Sequence, residues 1–443
     1  MTSSIAIIGG GISGTLTVLN LIKQSKQQLT ILWFDAHQNF CKGLAYSTSV
    51  NEHLLNVRAN NMSLFVDEPD HFVNWLKKYN PIYSSTDFVS RKLFGDYVQY
   101  VFNDLKNTNP LVTIQQIAQE VISVDKSNGG FEIKTSAIYH ANKLILALGN
   151  FLPAHPHSVS KQFITSENYF QNAFHDNIAN QVKNKKIITI IGSGLTMIDV
   201  LSSLSHFNYS EQIQIISPHG YIPQAHFEDP LPAIAPFIQE TTNYNLIELL
   251  GLVNQQLKQA AKDGFNSHSV VDAARPYLQN MWLQFSLADK KQFLRHLRHK
   301  WGVARHRAPA QSLNTFNQLH DTGKLTLLKG RIFDIIEIPA GFEICYTDIN
   351  QTRQKIQTEL IINCTGPQSD YSQIESPLIK YLIKNRLITP DSIHYGINAR
   401  KSGKISSNLY TLGPPLKGIL WESTAVPEIR RQAKDLAAEI ISN

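Results

Sequence analysis

The run Ile5-Ala6-Ile7-Ile8-Gly9-Gly10-Gly11-Ile12-Ser13-Gly14 constrains this chain more than any other stretch. An apolar segment too short for a helix stops at glycine, as a buried parallel strand must if it is to turn sharply into a helix. In such a turn Gly9 allows the bend, Gly11 lets the backbone approach a pyrophosphate, and Gly14 lets the new helix lie close against the strand. The N–H groups at the helix start then face the phosphate charge. A second apolar strand ends at Asp35, about 20 residues beyond the motif, where a carboxylate accepts hydrogen bonds from an unmodified ribose and disfavours a 2′-phosphate. Glycine-rich turns are common. Here strand, glycines, helix, second strand and terminal acid agree, whereas an ordinary strand-to-helix turn would account for the glycines alone.

The theme returns at Ile187-Ile188-Thr189-Ile190-Ile191-Gly192-Ser193-Gly194-Leu195-Thr196-Met197. One dinucleotide needs one such turn, so two sites are implied, with a degenerate structural copy as the alternative. Met197 stands at the third glycine position, which implies that this helix sits further from its strand. The following strand, 212–216, ends in Ser217-Pro218-His219 rather than an acid. That leaves room for a 2′-phosphate, although no arginine stands beside it in the sequence.

A length of 443 residues allows about three domain-sized units and an ample core. Hydrophobic content of 42% with 17% charged residues describes a globular rather than a disordered chain. The net charge of +6 suits an anionic ligand. The basic residues are dispersed rather than gathered into a groove, so nucleic acid is not expected as a partner. The three cysteines, Cys41, Cys345 and Cys364, include no CxxC pair. A disulfide framework and a dithiol active site are therefore excluded by spacing, and a reducing cytoplasm is the expected location. No basic leader or unbroken apolar span is seen, so no membrane association is expected. No metal site is expected either: His296 and His299 could share a helix face, but no further ligand is in view.

Along the chain, residues 41–47, 52–57 and 61–63 carry few charges, which suits either a segment beside a large planar ligand or a packed loop. Helices are expected at 70–79, with Phe72, Trp75 and Leu76 inward, and at 92–105. Strands are expected at 112–117, 121–124 and 131–133, the last two joined as a hairpin through Asn128-Gly129-Gly130. Residues 143–149 and 360–366 each run a buried strand into a glycine turn and read as returns between domains. From Tyr221 to about residue 319 the pattern is helical, an insertion of a size that suits a lid or specificity element. It contains Arg295-His296-Leu297-Arg298-His299-Lys300-Trp301 and Arg305-His306-Arg307, either an anion-receiving cluster or the solvated face of a basic helix. Strands resume at 325–328, 332–338 and 342–346. A last strand ends at Gly413, followed by residues 418–427 and a terminal helix with Pro427 near its first turn. The N–H groups of such a helix can face an electron-rich ring edge.

Together these residues resemble the flavoproteins that carry an FAD-binding domain and a nested NAD(P)H-binding domain. More narrowly, Gly43-Leu44-Ala45-Tyr46-Ser47, His53-Leu54-Leu55-Asn56-Val57, Asn61-Met62-Ser63, Arg305-His306-Arg307 and Leu420-Trp421-Glu422-Ser423-Thr424-Ala425-Val426-Pro427 resemble a bacterial FAD/NAD(P)-binding family, similar to enzymes that hydroxylate the amino group of amino acids. The resemblance implies an α/β fold: a Rossmann-like FAD-binding domain from residues 1–183 and 364–443, and a nested NAD(P)-binding domain, 184–363, with a helical insertion at about 221–322. It implies FAD contacts from Gly9, Gly11, Ile12, Ser13, Gly14, Asp35, Ala36, Gly43, Ala45, Tyr46, Leu55, Asn56, Val57, Met62, Val121, Ala147, Gly149, Gly413, Trp421, Glu422, Thr424 and Ala425. For NADPH or NADH it implies Gly192, Ser193, Gly194, Leu195 and Thr196. Two departures matter. The FxGxxxH motif of flavin-containing monooxygenases is absent at 163–169, and Pro414 stands where disulfide reductases commonly have an aspartate.

The expected activity is that of an NAD(P)H-driven flavin monooxygenase acting on a small molecule such as an amino acid or amine. The alternatives are a flavin reductase without oxygen transfer and a non-catalytic FAD-binding sensor or interaction protein. Asn56 and His219 are the candidate catalytic residues, and Arg305 and Arg307 the candidate substrate-binding residues.

Overall fold

A computed structural model describes residues 3–156, 159–227 and 231–442. The strands in chain order are β1 (Ser3–Ile8), β2 (Leu29–Phe34), β3 (Val112–Ile117), β4 (Ser123–Ser127), β5 (Gly130–Lys134), β6 (Ile138–Ala141), β7 (Lys143–Leu146), β8 (Tyr169–Phe170), β9 (Ile187–Ile191), β10 (Gln212–Ser217), β11 (Leu325–Ile338), β12 (Gly341–Asp348), β13 (Arg353–Thr358), β14 (Leu360–Asn363), β15 (Lys404–Ser406) and β16 (Leu409–Thr411).

The first sheet runs β15-β16-β7-β1-β2-β3, with every pairing parallel except that of β15 with β16. Its central strands are apolar on both faces because both faces are covered. On one side Ile5 and Ile7 pack with Leu16 and Leu19 of the helix Ile12–Gln24 and with Ala433 and Leu436 of the terminal helix Val426–Ser442. On the other, Ala6 and Ile8 pack with Val124, Phe131 and Ile133 of the three-stranded sheet β4-β5-β6 and with Ile379 of the helix Pro377–Lys384. The one-residue alternation along β1 sends successive side chains into these two cores.

The second sheet runs β13-β12-β11-β10-β9-β14-β8. Strands β8, β14, β9, β10 and the first part of β11 are parallel, and β11, β12 and β13 close it as an antiparallel meander. Two expectations change here. Tyr169–Phe170 pairs with β14, so the second sheet draws its edge from residues ahead of position 184. The strands expected at 325–328 and 332–338 are one strand, β11, whose register shifts between Ile332 and Asp334 as it leaves β10 for β12.

The helical insertion comprises Leu246–Lys262, Ser267–Ala274, Leu278–Gln284, Leu287–His296, Arg298–Arg305 and Ala310–Asp321. Capping boxes at Asn245/Glu248 and Ser286/Asp289 start two of these helices. Helix does not begin at Tyr221, because Pro223, Pro232 and Pro236 remove backbone donors along that stretch. The described part of 221–245 instead crosses as a strap, with a single β-bridge between Ala225 and Ala308. Among the described residues no helix is long and apolar enough to cross a membrane.

Candidate active site

The first glycine turn leaves the carboxyl end of β1. Gly9 has φ +120°, and a Cβ there would lie 2.2 Å from the Ala147 carbonyl oxygen; one on Gly14 would lie 2.0 Å from the carbonyl oxygen of Gly9. The indole N–H of Trp33 donates to that same Gly9 oxygen at 3.0 Å. Gly11 precedes the helix Ile12–Gln24 without a side-chain cap, and the first turn holds no acid, so the leading N–H groups are open to an anion. The short helix Gly43–Tyr46 lies against it, since a Cβ on Gly43 would meet Gly11 Cα at 2.7 Å. Asp35 is pinned beside the turn, Oδ2 accepting from the Gly10 N–H and Oδ1 from those of His37 and Asn39, each at 2.9 Å.

Gly9, Asp35, Ala147 and Gly413 all leave the carboxyl ends of parallel strands, where a doubly wound sheet binds its ligand. Ala36 follows Asp35 on the surface, and Gly149 lies beyond β7. Ala45 and Tyr46 stand on the short helix, with Tyr46 edge-on to Phe94 at 4.7 Å. Leu55, Met62 and Val121 are buried, while Asn56 and Val57 are half-buried in the loop beside them. Gly413 has φ +75°, a Cβ there would meet Ser13 Oγ at 2.6 Å, and its N–H donates to Gln432 Oε1 at 2.7 Å.

The fully buried Ser423 Oγ and the Gln432 Nε2 have no hydrogen-bond partner among the described residues, polar atoms that a bound group would satisfy. With the glycine cradle and Asp35, these residues fit FAD. Trp421 sits at φ 59° and ψ −61°, closing a three-residue turn in which the Glu422 N–H donates to the Leu420 carbonyl at 2.7 Å. This backbone state is rare and strained and marks functional sites. Its ring packs on Trp282 at 4.8 Å and Phe293 at 5.0 Å, so the helical insertion covers it. Glu422 accepts from the Trp301 indole at 3.1 Å. Thr424 is exposed and Ala425 half-buried just ahead of the terminal helix.

The second turn repeats the first. Gly192 has φ +102°, and a Cβ there would meet the Cys364 carbonyl at 2.5 Å, as Gly9 meets Ala147. Gly194 precedes the helix Leu195–His206, in whose first turn stand Leu195 and Thr196, again with neither cap nor acid. Met197 is fully buried where the first copy has glycine. Ser193 Oγ lies 2.8 Å from Ser217 Oγ and ties the turn to the end of β10.

The sequence showed no arginine near His219, but the fold brings cations there. Lys329 stands opposite Ser217 on β11, and its stem crosses Gly220, where a Cβ would meet Lys329 Cγ at 2.7 Å. The His219 ring is 4.8 Å from that of His299, to which Arg298 donates at 2.9 Å. Burial first, then the charges of Arg298, His219 and Arg331, push the His299 pKa down to about 4. The end of β10 is thus rimmed by basic groups from three separate stretches.

Both substrate candidates are engaged within the protein. Arg305 Nε is 3.3 Å from Glu422 Oε2, and its guanidinium is 3.7 Å from Glu428, which also pairs with Arg275 at 2.8 Å. Arg307 is 8% exposed and grips Asp272 through both terminal nitrogens at 3.1 and 3.3 Å. These pairs hold the insertion together and against the first turn of the terminal helix and the residues ahead of it. The two catalytic candidates are not brought together either: the Asn56 carbonyl lies 3.1 Å from His226 Nε2, whereas His219 belongs to the basic rim. Sequence reasoning missed His226, whose pKa burial pushes down to about 4, and the mutual contacts of His53, Arg91 and Asp199. Among the described residues, no group of three or more His, Cys, Asp or Glu side chains could hold a metal ion.

The fold is that of proteins with two Rossmann-like dinucleotide-binding units. Residues 6–151 match the model of a family described as FAD-NAD(P)-binding. Over 96% of its length the chain is 22% identical to L-lysine N6-monooxygenase of Escherichia coli, of which it covers 94%. The cadaverine monooxygenase of Erwinia amylovora, solved with FAD, superposes with a TM-score of 0.69 at 13% identity, covering 100% of this chain and 95% of that one. The ornithine N-hydroxylase of Kutzneria sp. 744, solved with reduced FAD, NADP+ and L-ornithine, superposes with a TM-score of 0.67 at 12% identity over 99% of both chains. The expected cofactors, fold and reaction class agree with what these proteins are.

Proposed function

We propose that the chain is an FAD-dependent, NAD(P)H-driven monooxygenase that hydroxylates the amino group of a small amine or amino acid in the cytoplasm. The observation that supports it most is the doubled cradle, Gly9 on Ala147 and Gly192 on Cys364, in a chain matched end to end by amine and amino-acid N-hydroxylases. The chemistry, acceptance of a hydride from the nicotinamide and activation of dioxygen, would be supplied by bound FAD. The protein binds, orients and excludes water. Gly9, Gly11 and Gly14 leave the helix start open, where it would hold the pyrophosphate, and Asp35 would accept from the adenosine ribose. Residues 421–425 and the start of the terminal helix would hold the flavin ring. Gly192, Ser193 and Gly194 hold the nicotinamide nucleotide, and the basic rim of Lys329, Arg331 and His219 favours the 2′-phosphate of NADPH. The insertion, docked through Trp421 and Arg305, shields the reacting centre from water. The domain plan is FAD-binding in 1–183 and 364–443 and nucleotide-binding in 184–363, with β8 lent to the second sheet.

Anaerobic mixing with NADPH or NADH tests the reading. Bleaching of the yellow colour, followed on admitting oxygen by a hydroxylated amine, is the expected result. Conversion of all consumed NAD(P)H to hydrogen peroxide with every amine tried makes the protein a reductase. No bleaching with either nucleotide removes the electron source and sinks the reading.

A further inference from the structure

The two dinucleotide units are built around separate cores. Ile5, Leu16 and Leu436 belong to one and Ile190, Met197 and Leu201 to another, and the apolar contact they share runs through the helical insertion, where Met281 and Trp282 pack with Ile393 and Trp421. What crosses the boundary at the loop 52–58, which carries the expected flavin contacts Leu55, Asn56 and Val57 and is called the flavin-facing loop on that reading, is polar. Arg91, at the start of the helix Arg91–Leu105 of the first unit, places Nη2 2.9 Å from Oδ2 of Asp199. Asp199 is 7% exposed and lies on the helix that the second glycine turn begins. Arg91 also holds the loop, its Nε donating to the Leu54 carbonyl at 3.1 Å and its backbone N–H to that of His53 at 2.7 Å.

His53, 3% exposed, completes the arrangement. Its Nε2 lies 3.0 Å from the Asp199 carbonyl oxygen and 2.7 Å from Ser203 Oγ. A carbonyl only accepts, so Nε2 carries the proton and Nδ1 accepts from Thr48 Oγ1 at 2.8 Å. Immediately beside these bonds a cleft of about 540 Å³, lined by Glu52, Leu54, Ser202, Ser205 and His206, separates the same loop from the same helix. Close apolar packing is therefore not what joins them there. On the loop's far side the Asn56 carbonyl is held by His226.

We propose that His53, Arg91 and Asp199 are positioning residues that clamp the second dinucleotide unit to the flavin-facing loop and so set the approach of nicotinamide to flavin. This rests on the proposed function insofar as a hydride crosses the boundary. The clamp touches neither glycine turn, so it governs the rate of transfer and leaves nucleotide affinity alone.

The test uses the full chain loaded with FAD, in wild type, Arg91→Met, Asp199→Leu, His53→Ala and the double variant Arg91→Met/Asp199→Leu. In anaerobic stopped-flow, the single variants are expected to lose about tenfold to a hundredfold in the limiting rate of flavin reduction, as misplaced reactants do. Nucleotide Kd and FAD content stay at wild-type values. The double variant recovers part of the rate, since an apolar pair can replace a buried ion pair whereas a lone buried charge cannot be left uncompensated. Amide hydrogen exchange in 195–206 and 52–58 rises in the singles and falls back in the double. Unchanged rates overturn the proposal. So does a weakened Kd or lost FAD in step with the rate, which would make the residues merely structural. If wild type is not reduced by either nucleotide, the functional reading has failed, and unchanged exchange in the single variants would then overturn the clamp independently.

Discussion

The packing of Gly14 permits a quantitative test of the FAD cradle. Gly14→Ala adds one methyl carbon at 2.0 Å from the Gly9 carbonyl oxygen and 3.1 Å from Trp33 Nε1, where Cβ atoms do not approach closer than 3.0 Å. The helix Ile12–Gln24 must therefore retreat from β1 by about 1 Å, and overpacking of this kind costs about 1–3 kcal/mol of stability. The retreat cannot stay local, because ten consecutive residues, from Ser13 to Ile22, are buried. It carries the leading N–H groups out of hydrogen-bond range of a pyrophosphate. Each bond to a charged group contributes about 1.5–3 kcal/mol, so losing two weakens FAD binding by about a hundredfold or more. Flavin titration of apoprotein, followed by absorbance, measures the Kd, and thermal unfolding measures the stability. Gly251→Ala is the control, because a Cβ there meets nothing within 4 Å and should be neutral or mildly stabilising. An alanine at position 14 that retains wild-type FAD affinity would show that this turn does not hold the cofactor.

Three further outcomes are expected. Asp35→Ala removes the acceptor of the Gly10, His37 and Asn39 N–H groups and should weaken FAD about tenfold or more through the lost ribose bonds; unchanged affinity by the same titration would place the ribose elsewhere. Lys329→Ala with Arg331→Ala should raise the KM for NADPH about tenfold and leave that for NADH unchanged, the loss of about one charge-assisted bond; equal effects on both nucleotides would remove the 2′-phosphate from this rim. His226, His299 and His306 are held near pKa 4 by burial, below their ordinary value of about 6.5. Between these limits the unfolded chain binds more protons, so stability falls as pH drops through that window. Urea midpoints measured in steps should show this decline and a shallower slope in His226→Gln, and a flat profile across the window contradicts it.

The glycine turns were legible because a strand that must bend at once into a helix leaves few residue choices at Gly9 and Gly192. Strands β1, β7 and β9 were legible for a similar reason, being buried and almost wholly apolar at their centres. Edge strand β13 escaped notice because its residues, Arg353 to Gln357, are mostly exposed and follow no apolar pattern. The site was read less completely than the fold. Charge along 295–307 was visible, but Asp272, Glu422 and Glu428, which neutralise Arg305 and Arg307, lie far away in the chain. The basic rim at His219 escaped for the same reason, since Lys329 reaches it only through strand register. His53 and Asp199, 146 positions apart, carry no local signal of their partnership.

Strand β16 enters the first sheet beside β7, with the Thr411 hydroxyl reaching the Leu146 carbonyl across 265 positions, and Lys143 holds the Ile440 carbonyl across 297. Between them the whole second sheet is threaded as one uninterrupted excursion. During synthesis that inner module has all its strands before the outer one does, and the flavin cleft can close only after Gly413 and the terminal helix leave the ribosome. Contacts so distant form slowly, so early yellow colour in a translation time course would belong to finished chains, and premature termination inside the last helix would leave a folded nucleotide module attached to an open, flavin-free sheet.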